Sequence, residues 1–193
     1  GSTILLPDLA PCKACLDEMR TPVNRRFRYP FLTCTDCGPR FSIAESLPFD
    51  RCRTAMREFT MCSGCEREYL DPGDRRFHAQ TNACSECGPQ LVLLGPDGPV
   101  SARGDEALDE VVAALREGMI VAVKSVGGFQ LLADARKEEV VLTLRTRKRR
   151  EAKPFALLVA DLTSARGICS LSEVEERLLD SAEAPIVLAS ARE

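Results

Sequence analysis

Cys12-Lys-Ala-Cys15 and Cys34-Thr-Asp-Cys37-Gly-Pro recur fifty residues later as Cys62-Ser-Gly-Cys65 and Cys84-Ser-Glu-Cys87-Gly-Pro. The match extends beyond cysteine, since Pro22 answers Pro72 and Arg25-Arg26-Phe27 answers Arg75-Arg76-Phe77. Both copies read Cys-x2-Cys-x18-Cys-x2-Cys, so the first half of the chain is an internal repeat. Zinc takes four soft ligands in a tetrahedron, and each Cys-x-x-Cys turn supplies two thiolates from one knuckle. The eight cysteines Cys12, Cys15, Cys34, Cys37, Cys62, Cys65, Cys84 and Cys87 are therefore assigned to two structural Zn2+ sites. Closing each site within its own repeat needs the shorter loops and is the preferred pairing. Gly38 and Gly88, which follow the second knuckles, are expected to supply the positive φ of a tight turn. Modules this small bury too little apolar surface to fold alone, and metal binding contributes on the order of 10 kcal/mol.

Composition narrows the alternatives. Ten cysteines could belong to a disulfide-stapled secreted protein, but no basic, apolar leader opens the chain, and eight of the ten sit in Cys-x-x-Cys pairs. A thioredoxin-like redox centre needs one such pair beside a βαβ unit, not four in tandem. A catalytic zinc keeps an open position, and eight cysteines filling two sites leave none. His78, the only histidine, stands where the first repeat has Arg28 and reads as a packed or surface side chain. Cys52 and Cys169 read as small buried hydrophobes. A formal charge of −3 argues against a generally basic nucleic-acid binder. No apolar run reaches the roughly 18 residues of a membrane span, and the expected location is cytoplasmic. Gly1-Ser2 reads as a tag scar.

The second half changes character. Leu91 to Leu94, Gly95-Pro-Asp-Gly98 and Pro99-Val100 read as a ribbon turning on Asp-Gly. A helix follows over 105–117, with Ala107, Leu108, Val111, Val112 and Leu115 on one face and Gly118 as its stop. Met119 to Val123, Phe155 to Val159 and Pro185 to Ala189 are apolar runs that predict buried strands. Lys124 to Gln130 is expected to be a loop. Residues 138–147 predict a helix with Val140, Val141 and Leu144 inward, and Ser172-Glu-Val-Glu175 a capping box opening another. Alternating helices and apolar strands predict an α/β sheet that stops in mid-pattern, as in a piece of a longer protein. The expected division is a tandem zinc-finger region over 1–100, with sites at 12–37 and 62–87, then an α/β nucleotide-binding portion over 101–193.

Two features of this half carry chemistry. Lys124-Ser125 with Gly127-Gly128 leaves a strand, where glycines let backbone approach a ligand; alone it is matched equally by a plain tight turn. Arg145 to Lys153 holds six cations against Glu151, a net +5 within nine residues. That cluster reads as a solvated helix end favoured by the helix dipole, a nucleic-acid patch or a polyphosphate site.

Arg25-Arg-Phe-Arg-Tyr-Pro-Phe31, Asp74-Arg-Arg-Phe-His-Ala-Gln80, Ile120-Val-Ala-Val-Lys124, Arg147-Lys-Arg-Arg150 and Lys153-Pro-Phe-Ala-Leu157 together resemble the HypF family. These are carbamoyltransferases of nickel–iron hydrogenase maturation. The resemblance implies an incomplete YrdC-like twisted sheet behind the fingers, and a module that activates the carbamoyl group of carbamoyl phosphate with ATP and Mg2+ as carbamoyl-adenylate. It further implies transfer to a HypE-type acceptor protein by a Kae1-like module absent from this chain. Under it, Lys148, Arg150 and Lys153, with Pro154, bind nucleotide phosphates, and Lys124 and Ser125 lie beside the same pocket. The chain departs from the pattern at Ser125, where glycine is usual, at Gln130, where histidine is usual, and at Glu151, where proline is common. A zinc-dependent RNA-binding module is the alternative from a different class, and a purely structural spacer a third. Neutral fingers and net acidity count against a broad phosphate-backbone footprint.

Overall fold

In the computed structural model, the structure describes residues 4–150 and 152–192. Gly1-Ser2 and Glu151 lie outside them. Two compact units emerge, one of Gly1–Pro89 with Leu158–Glu193 and the other of Gln90–Leu157.

In the first unit the repeat is structural as well as sequential. Each first knuckle opens a helix, α1 (Lys13–Arg20) from Cys12 and α2 (Ser63–Leu70) from Cys62. Each helix runs into an Asx turn, in which Asn24 or Asp74 accepts from the backbone N–H of Arg26 or Arg76 at 2.8 and 2.7 Å. Arg28 and His78 then take matching left-handed conformations, φ 58° and 55°, and donate their N–H groups to Met19 and Tyr69. His78 lies exposed against Tyr69 and Phe77, in agreement with its reading as a surface residue. The buried core mixes sulfur with few apolar side chains: Cys15, Cys34, Cys37, Tyr29, Leu32, Ile43, Met56 and Ala83.

Gly38 has the expected positive φ, 94°, but Gly88 does not. Its requirement is space: a Cβ there would lie 2.2 Å from Tyr29 Oη and 2.5 Å from Ala83 Cβ. Between the repeats, Arg51 ties the linker to the second finger. Its guanidinium donates to the carbonyls of Phe59, Gln80 and Asn82 at 2.7–2.9 Å. Cys52 is exposed rather than buried, on a short 3-10 turn that directs the neighbouring Arg51 inward instead. Cys169 is half-buried. The remainder of this unit holds α5 (Leu162–Ile168), capped by Asp161, and α6 (Glu173–Leu179), opened by the predicted Ser172–Glu175 capping box.

The second unit confirms the predicted ribbon as β1 (Val92–Leu94) and β2 (Val100–Arg103), with Gly98 at φ 92°. Helix α3 (Gly104–Glu117) stops at Gly118, φ 93°, whose N–H returns to the carbonyls of Ala114 and Leu115. Helix α4 (Glu138–Arg147) buries Val140 and Leu144.

The fold is α/β with small sheets, and its strands depart from expectation. Among the described residues the strands form three two-stranded antiparallel sheets rather than a single twisted one. The segment expected to be a loop over 124–130 is a tight hairpin: β3 (Val121–Ser125) pairs with β4 (Gly128–Leu132) across Val126-Gly127. The last sheet pairs β5 (Cys169–Ser170) with β6 (Ser190–Ala191). Residues 155–159 and 185–189 join no ladder among the described residues, and Leu158, Ile186 and Leu188 are 92%, 86% and 88% exposed. An apolar run records the burial a strand is suited to. It becomes a buried strand only where a neighbouring strand and a covering layer meet it.

Candidate functional site

The cysteines converge into two tetrads, Cys12/Cys15/Cys34/Cys37 and Cys62/Cys65/Cys84/Cys87, each wholly within one repeat. Neighbouring Sγ atoms stand 3.6–3.8 Å apart in both. That spacing excludes disulfides, which need about 2.05 Å. A tetrahedron of thiolates with metal–sulfur bonds of about 2.3 Å has edges of about 3.8 Å. The donor set and its dimensions thus fit a closed four-thiolate ion such as Zn2+. Cys37 is held below the usual thiol value by its hydrogen bond with Cys15, against burial. Cys84 falls to about 7, burial opposing the backbone N–H groups of Glu86 and Cys87 that lower it.

The surroundings of each tetrad come from the other repeat. Arg25 Nη2 donates to Cys62, Cys65 and Cys84 at 3.2, 3.4 and 3.1 Å, and Nη1 donates to Glu68 at 3.1 Å. Reciprocally, Arg75 reaches Cys15 at 3.2 Å, Cys12 at 3.8 Å and Glu18 at 2.7 Å. The buried neighbours cross in the same way. Arg26 Nε donates to Ala83 O and its terminal nitrogens to Glu68, while Arg76 Nε donates to Thr33 O and its terminal nitrogens to Glu18. Burial opposes ionisation of Glu68, but the hydrogen bond and charge of Arg26 hold its carboxyl at about 2. Glu18 is lowered in the same way, against burial, by Arg76 and Arg75. Sequence reading matched the arginines between repeats but gave no role to them or to the glutamates. The available signal was a charged residue kept at one register in both copies, Glu18 with Glu68 and Arg25-Arg26 with Arg75-Arg76.

The predicted phosphate residues lie in the second unit on two elements. Lys124 and Ser125 end β3, with Lys124 Nζ 5.6 Å from the Phe129 ring centroid and Ser125 Oγ donating to Gly128 O at 3.1 Å. A Cβ at Gly127 or Gly128 would meet nothing within 4 Å, so this turn is open. Lys148 caps α4, and Lys148 and Lys153 are exposed. Arg149 takes φ 49° and turns the chain back, so that Arg150 N–H donates to Arg145 O at 3.0 Å. Arg145 is no solvated helix end. Its guanidinium stacks 4.9 Å from the Phe155 centroid and donates to the carbonyls of Arg150 and Lys153 at 2.7 and 3.1 Å. An open hollow of about 430 Å³ lies elsewhere, beside Arg51, Cys52, Phe59 and Tyr69, and contains none of the predicted phosphate residues. No helix among the described residues is long and apolar enough to cross a membrane.

Comparison with known proteins agrees along the chain. The family described as HypF finger matches residues 12–44 and 61–94, and the YrdC-type family described as Telomere recombination matches residues 113–192. The carbamoyltransferase HypF of Synechocystis is 55% identical over 184 residues, 95% of this chain and 24% of that protein. The carbamoyltransferase HypF of Rhizobium leguminosarum is 50% identical over 192 residues, all of this chain and 24% of that protein. Among solved structures, full-length HypF in the phosphate- and nucleotide-bound form is 46% identical with a TM-score of 0.89, covering 100% of this chain and 25% of that one. HypF of T. kodakarensis is 41% identical with a TM-score of 0.92 and the same coverage. The chain spans about a quarter of the length of the relatives it matches. With paired fingers and a YrdC-type segment in the same order, it belongs to the HypF family.

Proposed function

We propose that this chain is the zinc-binding and carbamoyl-adenylate-forming portion of a carbamoyltransferase for nickel–iron hydrogenase maturation. The observation that carries the reading is its 50–55% identity with proteins named carbamoyltransferase HypF along 95–100% of its length. Cys12, Cys15, Cys34, Cys37 and Cys62, Cys65, Cys84, Cys87 hold two structural Zn2+ ions, as the tetrahedral spacing of their sulfurs supports. The finger region is assigned to 1–100 and the first part of the YrdC-like domain to 101–193.

ATP, with Mg2+, and carbamoyl phosphate are the substrates. Lys148, Arg150 and Lys153 face the nucleotide phosphates, and fixed cations there stabilise the charge that develops on departing pyrophosphate. Lys124 and Ser125, beside the open Gly127-Gly128 turn, approach the same ligand. Support comes from a solved relative captured with phosphate and nucleotide, and from a loop whose backbone is clamped while Lys148 and Lys153 stay exposed. A HypE-type protein accepts the carbamoyl group.

The test uses the full-length protein containing this chain and carbamoyl-phosphate-dependent exchange between ATP and pyrophosphate. Exchange that requires carbamoyl phosphate is the expected result; exchange indifferent to it refutes adenylate formation. This chain alone should leave a HypE-type acceptor unlabelled by carbamoyl phosphate and ATP. Tight, salt-sensitive RNA binding by the chain would favour the RNA-binding module instead.

A further inference from the structure

A metal site is usually completed by neighbours of its ligands from the same module. Here, among the described residues, the charged side chains that hydrogen-bond to a tetrad's sulfurs come from the other repeat. Arg25 touches three sulfurs of the second tetrad, and Arg75 touches two of the first. Four thiolates around a divalent ion leave two excess negative charges, and an adjacent guanidinium offsets one of them. A second link is mechanical. Arg26 holds the carbonyl of Ala83, just before the knuckle of Cys84, and Arg76 holds that of Thr33, just before Cys34. Each arginine pair lies between the two knuckles of its own finger, so closing one finger fixes the groups that the other needs.

We propose that each repeat completes the metal site of the other, so that the two ions bind and leave as one cooperative unit. The proposal rests on the reading of the tetrads as metal sites. The first ion orders residues 12–37 or 62–87 and presents the arginines already in place; the second then binds without that ordering cost. By linkage the effect is reciprocal. Groups that hydrogen-bond to metal ligands typically change metal affinity about 10- to 100-fold when removed, and a factor in that range is expected for the coupling.

The whole chain is loaded with cadmium for NMR, which gives one resonance per tetrathiolate site, and with zinc for withdrawal by a chromophoric chelator. Assignment uses Cys62→Ser/Cys65→Ser, which empties the second tetrad. In Arg25→Gln the resonance of the Cys62 tetrad should move and its zinc should leave about tenfold faster, with the Cys12 tetrad following it. Arg75→Gln should do the reverse, and Arg25→Lys, which keeps the charge, should give a smaller effect. Emptying the second tetrad should weaken the first about tenfold or more. Two ions that leave at independent rates, or an Arg25→Gln effect confined to the Cys62 tetrad, overturn the coupling and leave the metal sites standing. A chain that binds no tetrathiolate ion in either repeat overturns both.

Discussion

Arg26 is 2% exposed, and its guanidinium has fixed partners in the second finger: Ala83 O at 2.9 Å, Asn82 Oδ1 at 3.0 Å, and Glu68 through both oxygens at 3.0 and 2.5 Å. Arg26→Ala takes the donor from the buried Ala83 carbonyl and Asn82 Oδ1, and leaves the half-buried Glu68 carboxylate with only Arg25 and Asn82. Two buried acceptors left unsatisfied at about 1–3 kcal/mol each, with the Glu68 pair weakened besides, cost about 3–5 kcal/mol together. For a chain of this size each kcal/mol lowers the melting temperature by roughly 2–4 °C, so the expected drop is roughly 6–20 °C. An exposed pair gives the contrast. Lys13 and Asp17 sit at 2.8 Å on α1 with both side chains in water, and such i,i+4 pairs contribute about 0.3–0.5 kcal/mol. Lys13→Ala should therefore move the melt by no more than about 2 °C. Zinc-loaded protein is melted by calorimetry, with Arg26→Ala, Glu68→Ala and the double variant forming a cycle. The double variant should lose clearly less than the sum of the two. If Arg26→Ala costs under about 1 kcal/mol, or if the two losses simply add, the crossed ion pair is not what joins the fingers.

Elemental analysis should find two zinc ions per chain; at saturating zinc Cys12→Ala should keep one, and Cys52→Ala or Cys169→Ala both. Gly88→Ala drives a methyl to 2.2 Å from Tyr29 Oη and should destabilise the second finger by about 1–3 kcal/mol in denaturant unfolding. In full-length protein Lys148→Ala/Arg150→Ala should abolish carbamoyl-phosphate-dependent ATP–pyrophosphate exchange at unchanged zinc content. Arg145→Ala should also impair exchange, because it releases the carbonyls of Arg150 and Lys153, whereas Arg149→Lys should be nearly silent.

The finger region was legible because its geometry is written in spacing. Four thiolates per metal and a fixed offset of fifty residues leave little freedom, and both tetrads closed as read. Helix ends were legible for the same local reason: Gly118 and the Ser172–Glu175 box act within one turn of where they stand. What escaped depends on partners distant in sequence. Nothing near Arg25 or Arg75 signals that each reaches sulfurs of the other copy. Arg145 looked like one more cation in a basic run until the chain reversed at Arg149 and brought two carbonyls to it. Helix α5 was missed although Asp161 caps it by accepting from Ser164 N–H, since seven residues are too few for a clear apolar period. The runs at 155–159 and 185–189 failed as strands for the opposite reason: hydrophobicity is local, but a ladder is not.

The exchange of arginines has the form of an isologous contact, in which what residue 25 does to 65, residue 75 does to 15. Between separate molecules such an interface would depend on concentration, and every substitution in it would be made twice. One polypeptide removes both conditions. The residues from Gly38 to Met61 tether the halves and hold their effective concentration fixed, and each half is free to change alone. It has done so at the centre: Leu32 is a buried apolar side chain in the first finger, while its counterpart Asn82 ties Arg26 to the carbonyl of Cys65 in the second. Symmetry sets the framework of the pair, and duplication within one chain is what permits the two sides to differ.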